Sequence, residues 1–443
     1  MALAPLARQR RHSELALGLL VAIIAVGGYI LVALADGPKL PAGLDALLAW
    51  VGGLYLVAHF AIRRFAPNAD ATLLPIAALL NGVGFVMIAR LDHDKARVQS
   101  VWVALGIAVF VLTLAIVRDV RVFERYRYTV LLLGLVTLLL PIAPIGRTIN
   151  GARLWVAVGS LTFEPSEVAK VLLVAFFAAY LVDKRELLSQ GRVRVAGIFL
   201  PSLRDLGPLL LAWGVALLVL AYEKDVGTSL LFFGVFAAML YMATRRGVYV
   251  VGALILLVLG AWLAYHAFGH VRVRVDTWLD PWKTRQSTGY QIVQAQYAFG
   301  SGGLDGKGLG LGNPTLIPNA PTDFVFAAIG EELGLIGTLG VLSAFLLLVG
   351  SAYRIAVDAV RPFSKLFAAG IATILGFQTF LIIGGVTRVI PLTGITLPFV
   401  SYGGSSLVAN FALLAILLRI SDDTARARQD EQRDATLVGQ ARR

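Results

Sequence analysis

The chain has no cysteine, which excludes disulfides, thiolate catalysis and Cys-ligated metal. Its five histidines are scattered with no metal-ligand spacing, and only 15% of residues are charged. Apolar residues fill the space instead: 58% of the 443 residues are hydrophobic, and the mean hydropathy is +0.78. Apolar runs of about 18 residues or more recur from end to end, each able to cross a hydrocarbon core of roughly 30 Å. In lipid such runs must be helices, because every backbone polar group has to be satisfied within its own segment. The class is an all-α polytopic membrane protein.

Twelve spans are expected, at roughly 14–36, 43–62, 71–90, 98–117, 128–145, 166–182, 206–222, 226–243, 248–267, 324–350, 364–390 and 399–418. The net charge of +12 lies mostly in short connectors such as Arg63-Arg64, Arg118 to Arg127, Arg245-Arg246 and Arg354 to Lys365. Clusters of that kind orient helices and attract anionic lipid, so no nucleic-acid partner is called for. Placing both termini in the cytoplasm puts nearly all of these bases inside. Arg8 to Arg11 followed by an apolar run and Ala33-Leu-Ala35 imitates a cleaved signal, but the run is too long, so a retained first helix is expected. The tail, residues 421–443, is polar and is expected to lack structure.

The one long polar stretch, residues 268–323, then faces out of the cell as platform and lid. A loop of such length is functional or disordered, and its aromatics argue for function. Its glycine run through Gly300-Ser-Gly-Gly303 to Gly312 is not a Walker A loop, since Gly308 follows Lys307 where Ser or Thr is needed. Those glycines let the loop fold tightly against the membrane surface. Trp278 and Trp282 are interface anchors or a sugar-stacking platform.

Several polar residues stand at the same face. Asp323 ends the loop, with Thr322 placed to cap the following helix, so opposed pressures of dipole and burial act on its carboxyl. It is either a general base or a first-turn acid that steadies its helix. Glu167 and Lys170, at i and i+3, share a helix face as a working or a self-compensating pair. Asp225 opens Asp225-Val-Gly-Thr-Ser229, as a site residue or in a solvated turn. Glu331 and Glu332, two turns into a span, need partners or protons and imply a buried polar network. Ser401 and Ser405 lie in a small-residue segment suited to close helix packing.

In order, Phe163-Glu-Pro-Ser-Glu167, Asp225-Val-Gly-Thr-Ser229, Gly300-Ser-Gly-Gly303, Thr322-Asp-Phe324, Gly330-Glu-Glu-Leu-Gly334 and Leu397-Pro-Phe-Val-Ser-Tyr-Gly-Gly-Ser405 resemble the signatures of the SEDS family (shape, elongation, division and sporulation). The resemblance covers residues 71–420, a ten-helix core to which residues 1–70 add two helices. It implies a peptidoglycan glycosyltransferase that polymerises lipid II on the outer face of the bacterial cytoplasmic membrane, with a class B penicillin-binding protein as crosslinking partner. It implies Asp323 as the essential aspartate and Glu167 and Lys170 as supporting residues, with Asp225, Arg153, Trp155, Glu332, Ser401 and Ser405 around the substrate. It names no cofactor and leaves a divalent cation open. The two added helices and short tail favour an elongation-type member over a division-type one.

The chain departs from the family pattern in places. Pro318-Asn-Ala-Pro-Thr-Asp-Phe324 lacks the family's Glu and His, so neither is essential here. Glu164 replaces Gln, Glu223-Lys224-Asp225 replaces Gln-Pro-Asp, and the family's arginine before Trp155 is shifted to Arg153. On this reading Asp323 deprotonates an acceptor 4-hydroxyl while Lys170, Arg153 and Arg388 steady a departing pyrophosphate. The rivals are a lipid flippase, whose charged residues would line a path through the bundle, and a scaffold that only positions its partner.

Overall fold

A computed structural model describes residues 5–37, 44–149, 152–159, 161–190, 193–195, 198–200 and 203–441. The chain begins with α1 (Pro5–Asp36), α2 (Leu44–Phe65), α3 (Leu73–Leu91), α4 (His93–Ile116), the short α5 (Arg121–Arg125) and α6 (Arg127–Leu139). An antiparallel sheet of β1 (Gly146–Ile149), β2 (Ala152–Val158) and β3 (Leu161–Phe163) leads into α7 (Ser166–Asp183) and the short α8 (Arg185–Gln190). A hairpin of β4 (Val193–Val195) and β5 (Ile198–Leu200) precedes α9 (Leu203–Tyr222), α10 (Val226–Thr244) and α11 (Gly247–Ala267). Then come α12 (Gly269–Leu279), α13 (Tyr290–Gly302), α14 (Val325–Asp358), α15 (Pro362–Val386) and α16 (Gly404–Ala441).

Helices stand at all twelve expected positions, and eight among the described residues are long and apolar enough to cross a membrane by length and composition. α7 carries Glu167, Lys170 and Asp183 within its 18 residues, which explains why composition alone does not single it out. The surface has the inverse of a soluble protein's logic. On α11 the side chains of Leu254, Ile255, Val258 and Trp262 are all more than half exposed, an arrangement that only a hydrocarbon solvent accepts. Inside, small residues bring helices together: a Cβ on Gly84 would meet the Val400 carbonyl oxygen at 2.3 Å.

The small sheet folds the segment before α7 that carries Arg153 and Trp155. The long loop contains α12 and α13, in line with the aromatics that argue against disorder. And α16 runs on to Ala441, into the stretch expected to lack structure, while Arg442 and Arg443 lie outside the described residues. The start of that extension is anchored: Asp422 is fully buried and accepts from the Asn68 amide, Ser421 Oγ accepts from the Asp70 amide, and Arg419 donates to the carbonyls of Phe65, Leu114 and Val117.

The loop is spliced into α14 rather than laid on the membrane surface. α14 breaks at Gly334, whose φ of 64° is open to glycine at no steric cost. The break frees backbone groups on both sides, and the glycine run takes them up. Lys307 and Gly308 amides donate to the Glu331 and Glu332 carbonyls (3.0 and 2.9 Å), and the Leu335 and Ile336 amides donate to Gly303 and Leu304 (3.0 and 3.2 Å). Side chains lock the splice. Glu332 pairs with Arg90 at 3.3 Å and accepts from the Gly310 amide, while Glu331 accepts from Lys307 Nζ and the Asn313 amide. The polar network expected of the paired glutamates is therefore present. Glu332→Ala is expected to cost about 3 kcal/mol, the low end for breaking a buried ion pair, because Arg90 keeps its bonds to the Gly310 and Gly312 carbonyls. Denaturant unfolding of the detergent-solubilised protein measures it.

Candidate functional site

Asp323 lies in a turn just ahead of α14. The turn rests on Asn319, which sits at φ 57° and whose carbonyl accepts from the Thr322 and Phe324 amides (3.1 and 3.4 Å). Asparagine tolerates that left-handed conformation better than most side chains. Thr322 does not cap α14: its hydroxyl donates to Asn319, and Phe324 occupies the N-cap without a side-chain bond. Distant segments pin the turn. Ser401 Oγ donates to the Thr322 carbonyl at 2.6 Å, and the Tyr402 amide donates to Pro321 at 2.8 Å. Ser401 also accepts from the Leu397 amide, and Ser405 Oγ accepts from the Glu164 amide at 2.8 Å. Both serines thus tie segments together.

Across from Asp323, α12 supplies Arg274, which nothing in the sequence sets apart from the other loop bases. Its Nη1 donates to the Thr393 and Leu392 carbonyls (2.7 and 3.1 Å), fixing it over the segment between α15 and α16. Gly394 in that segment has φ 77°, and a Cβ there would lie 3.5 Å from Arg274 Nη2 and 3.9 Å from Asp323 Oδ2. The left-handed backbone at this position is what calls for a glycine. Gly394→Ala is expected to strain the backbone by about 1–2 kcal/mol while its Cβ makes only ordinary contacts with the two charged groups, so a Tm drop is the expected result.

Arg274 also acts electrostatically on Asp225, which is only 8% exposed, its Oδ1 accepting from the Thr228 amide as the N-cap of α10. The solvated-turn reading is therefore set aside, and Glu223 beside it is buried too. Lys170 pairs with Glu167 and donates to Gln378 Oε1 at 3.1 Å, and Gln378 in turn donates to the Thr396 carbonyl. So α7, α10, α12, α15 and the turn before α14 converge on residues 392–396.

Acids outnumber bases in this cluster. Burial pushes the Asp323 carboxyl up to about 6, against the Arg274 charge and a hydrogen bond from Thr322. Burial, then the charges of Glu167 and Asp225, push Glu164 up to about 8. Burial and the neighbouring Asp225 do the same for Glu223, also to about 8. Asp225 itself is raised by burial despite the Thr228 bonds and Arg274.

The remaining expected residues sit elsewhere. Arg153 and Trp155 lie on one face of β2, Arg153 donates to the Ala143 carbonyl at 2.9 Å, and no hydrogen bond or ion pair among the described residues joins either to Asp323. Arg388 donates to the Trp278 and Leu279 carbonyls, and Trp278 Nε1 donates back to Arg388. That reciprocal clasp moors α12 through Trp278. Among the described residues no three His, Asp or Glu side chains are grouped to hold a metal ion.

Such an arrangement, a polytopic helical bundle with a desolvated carboxylate and a fixed cation where an ordered loop re-enters it, defines a membrane-embedded protein with a polar site at one end. The match to known proteins is specific. Residues 71–426 fit the profile of the FtsW/RodA/SpoVE cell cycle proteins, and the chain belongs to that family. It is 42% identical over 450 residues to the peptidoglycan glycosyltransferase RodA of Mycobacterium tuberculosis, covering 99% of this chain and 96% of that one. The RodA of Mycobacterium leprae is 44% identical over 424 residues, 93% and 90% of the two chains. Among solved structures, a chain of a peptidoglycan synthase complex that coordinates polymerization and crosslinking superposes with TM-score 0.67 at 29% identity, over 80% of this chain and 98% of its own. The rod shape determining protein RodA of Thermus thermophilus gives 0.58 at 28% identity, over 80% and 97%.

Proposed function

We propose that this protein is a peptidoglycan glycosyltransferase of the elongation type that polymerises lipid II, with Asp323 as general base. The observation that carries the reading is the half-buried Asp323 carboxyl set beside Arg274 around Gly394. The donor sugar's C1 already bears a pyrophosphate, a good leaving group, so the enzyme has to orient two lipids and take one proton. Asp323 removes the proton from the acceptor's 4-hydroxyl as that oxygen attacks C1. The C1–pyrophosphate bond breaks, and in-line attack converts an α-linked donor into a β-linked glycan. A base held near 6 is largely ionised at neutral pH, yet basic enough to take up a proton.

Arg274, whose charge acts on Asp323 across Gly394, is the cation best supported to meet the departing pyrophosphate. Lys170, held by Glu167 and Gln378, orders the wall of the site. Arg153 and Arg388, whose bonds lead to Ala143 and to Trp278 and Leu279 and not to the segment around Asp323, are left out of this role. A class B penicillin-binding protein as crosslinking partner is supported by the synthase complex whose chain superposes on this one. We place the site on the outer face of the cytoplasmic membrane with both termini inside, as the distribution of basic connectors favours.

Polymerisation of lipid II by the purified full chain, with glycan length read on a gel, tests the function. Flipping of lipid II without any polymer formation would sink it in favour of a transporter.

A further inference from the structure

α1, α2, α3 and α4 enclose a cavity of about 270 Å³, walled by small and aliphatic residues such as Ala22, Gly52, Ala78 and Val103. Besides the mostly apolar rings of Tyr29 and Trp50, the polar side chains at its wall are bonded to carbonyls: Tyr55 to Glu14, Asn81 to Phe399 and Ser100 to Arg97. The space is too apolar for ordered water, which needs two to four polar partners. It is also far larger than the packing defects a protein interior leaves empty. Leu19, Trp50 and Leu56 line it and are themselves 44–66% exposed on the bundle's outside, so its mouth opens laterally between α1 and α2. That outside is the hydrocarbon-facing surface. No charged residue lines the cavity to receive a pyrophosphate.

The cavity adjoins the segment that holds Asp323. Asn81 Nδ2 donates to the carbonyl of Phe399 at 3.2 Å, and Phe399 is a buried residue in the left-handed region at φ 63°. Phe411, which lines the cavity, packs edge-on against Phe399 with centroids 5.4 Å apart. Two residues on, Ser401 grips the Thr322 carbonyl.

We propose that this cavity is a binding site for one acyl chain of a bilayer phospholipid, and that the bound chain, packed behind Asn81 and Phe411, holds Phe399 and hence the Asp323 turn in place. The occupant follows from the mouth, the neutral lining and the depth: a hydrocarbon chain enters sideways while its headgroup stays outside. The consequence for Asp323 rests on the polymerase reading, whereas the lipid site does not.

The test uses the full chain in phospholipid vesicles containing a phospholipid with a diazirine on its acyl chain. After irradiation, peptides are mapped by mass spectrometry. Cavity-wall peptides of α1, α2 and α4 are expected to carry more label than those of α11, which is exposed to lipid throughout. Gly52→Leu fills space in which a Cβ meets nothing within 4 Å, so it should remove the wall label and leave the α11 label. Ala22→Phe serves the same purpose if Gly52→Leu does not fold. Delipidation in detergent should slow wild-type polymerisation several-fold and the filled variant hardly at all. Wall labelling no stronger than on α11, or unchanged in both filled variants, overturns the site. Displacement of the label by a polyprenyl phosphate would reassign it to the substrate's tail and overturn the phospholipid assignment.

Discussion

Replacing Asp323 with asparagine is expected to slow glycan polymerisation by about 10²–10⁴-fold, the usual contribution of a positioned general base. Asparagine preserves the shape of the side chain, and the turn's backbone is held by the Ser401 hydroxyl, the Tyr402 amide and the Asn319 carbonyl, none of which bonds the carboxylate. The folded protein and its affinity for lipid II should therefore survive, and the loss should appear in kcat. Glycan synthesis by purified protein at saturating lipid II measures it. A variant that polymerises within a few-fold of wild type would remove Asp323 from the chemistry and leave it a structural residue of the turn before α14. The wild-type rate should also rise with pH through about 6, because only the ionised carboxylate accepts a proton.

Arg274→Met carries the second large effect, a fall on the order of 10² in kcat if the guanidinium meets developing pyrophosphate charge. Its sign can be read independently in the pH profile. Arg274 favours ionised Asp323, so its removal raises that carboxyl further and moves the rising limb to higher pH. A purely structural role would lower the rate at every pH and leave the limb where it was. Arg274→Lys restores the charge but not two bonds from one nitrogen-rich fork, so partial recovery of the limb with incomplete recovery of rate is expected.

The membrane class and the placement of the helices were legible because hydrocarbon imposes one rule on every span, and apolar length records it directly. The signature motifs led to Asp323, Glu167, Lys170 and Asp225 because ionisable residues at the ends of such spans stand out against their surroundings. Arg274 was hidden for the opposite reason. It sits among Arg272, Lys283 and Arg285 in a polar loop, where charge is ordinary, and only the fold over residues 392–396 sets it apart. The break at Gly334 was equally silent: a glycine within an apolar run reads as a packing residue until the loop that replaces its helical bonds is in view. Arg153 and Arg388 stand out in the sequence by their charge, whereas the carbonyls that accept from them are visible only in the fold.

The bonds from Ser401 and Tyr402 to residues 321 and 322 also fix an order of events in biosynthesis. A chain emerging from the ribosome inserts its helices one after another, so Asp323 is made well before the residues that clamp its turn. Until the segment ahead of α16 arrives, the nascent protein already holds most of its helices but lacks the bonds that pin the Asp323 turn. With Asp323 in the proposed role, a product truncated before residue 400 is expected to be membrane-inserted but silent.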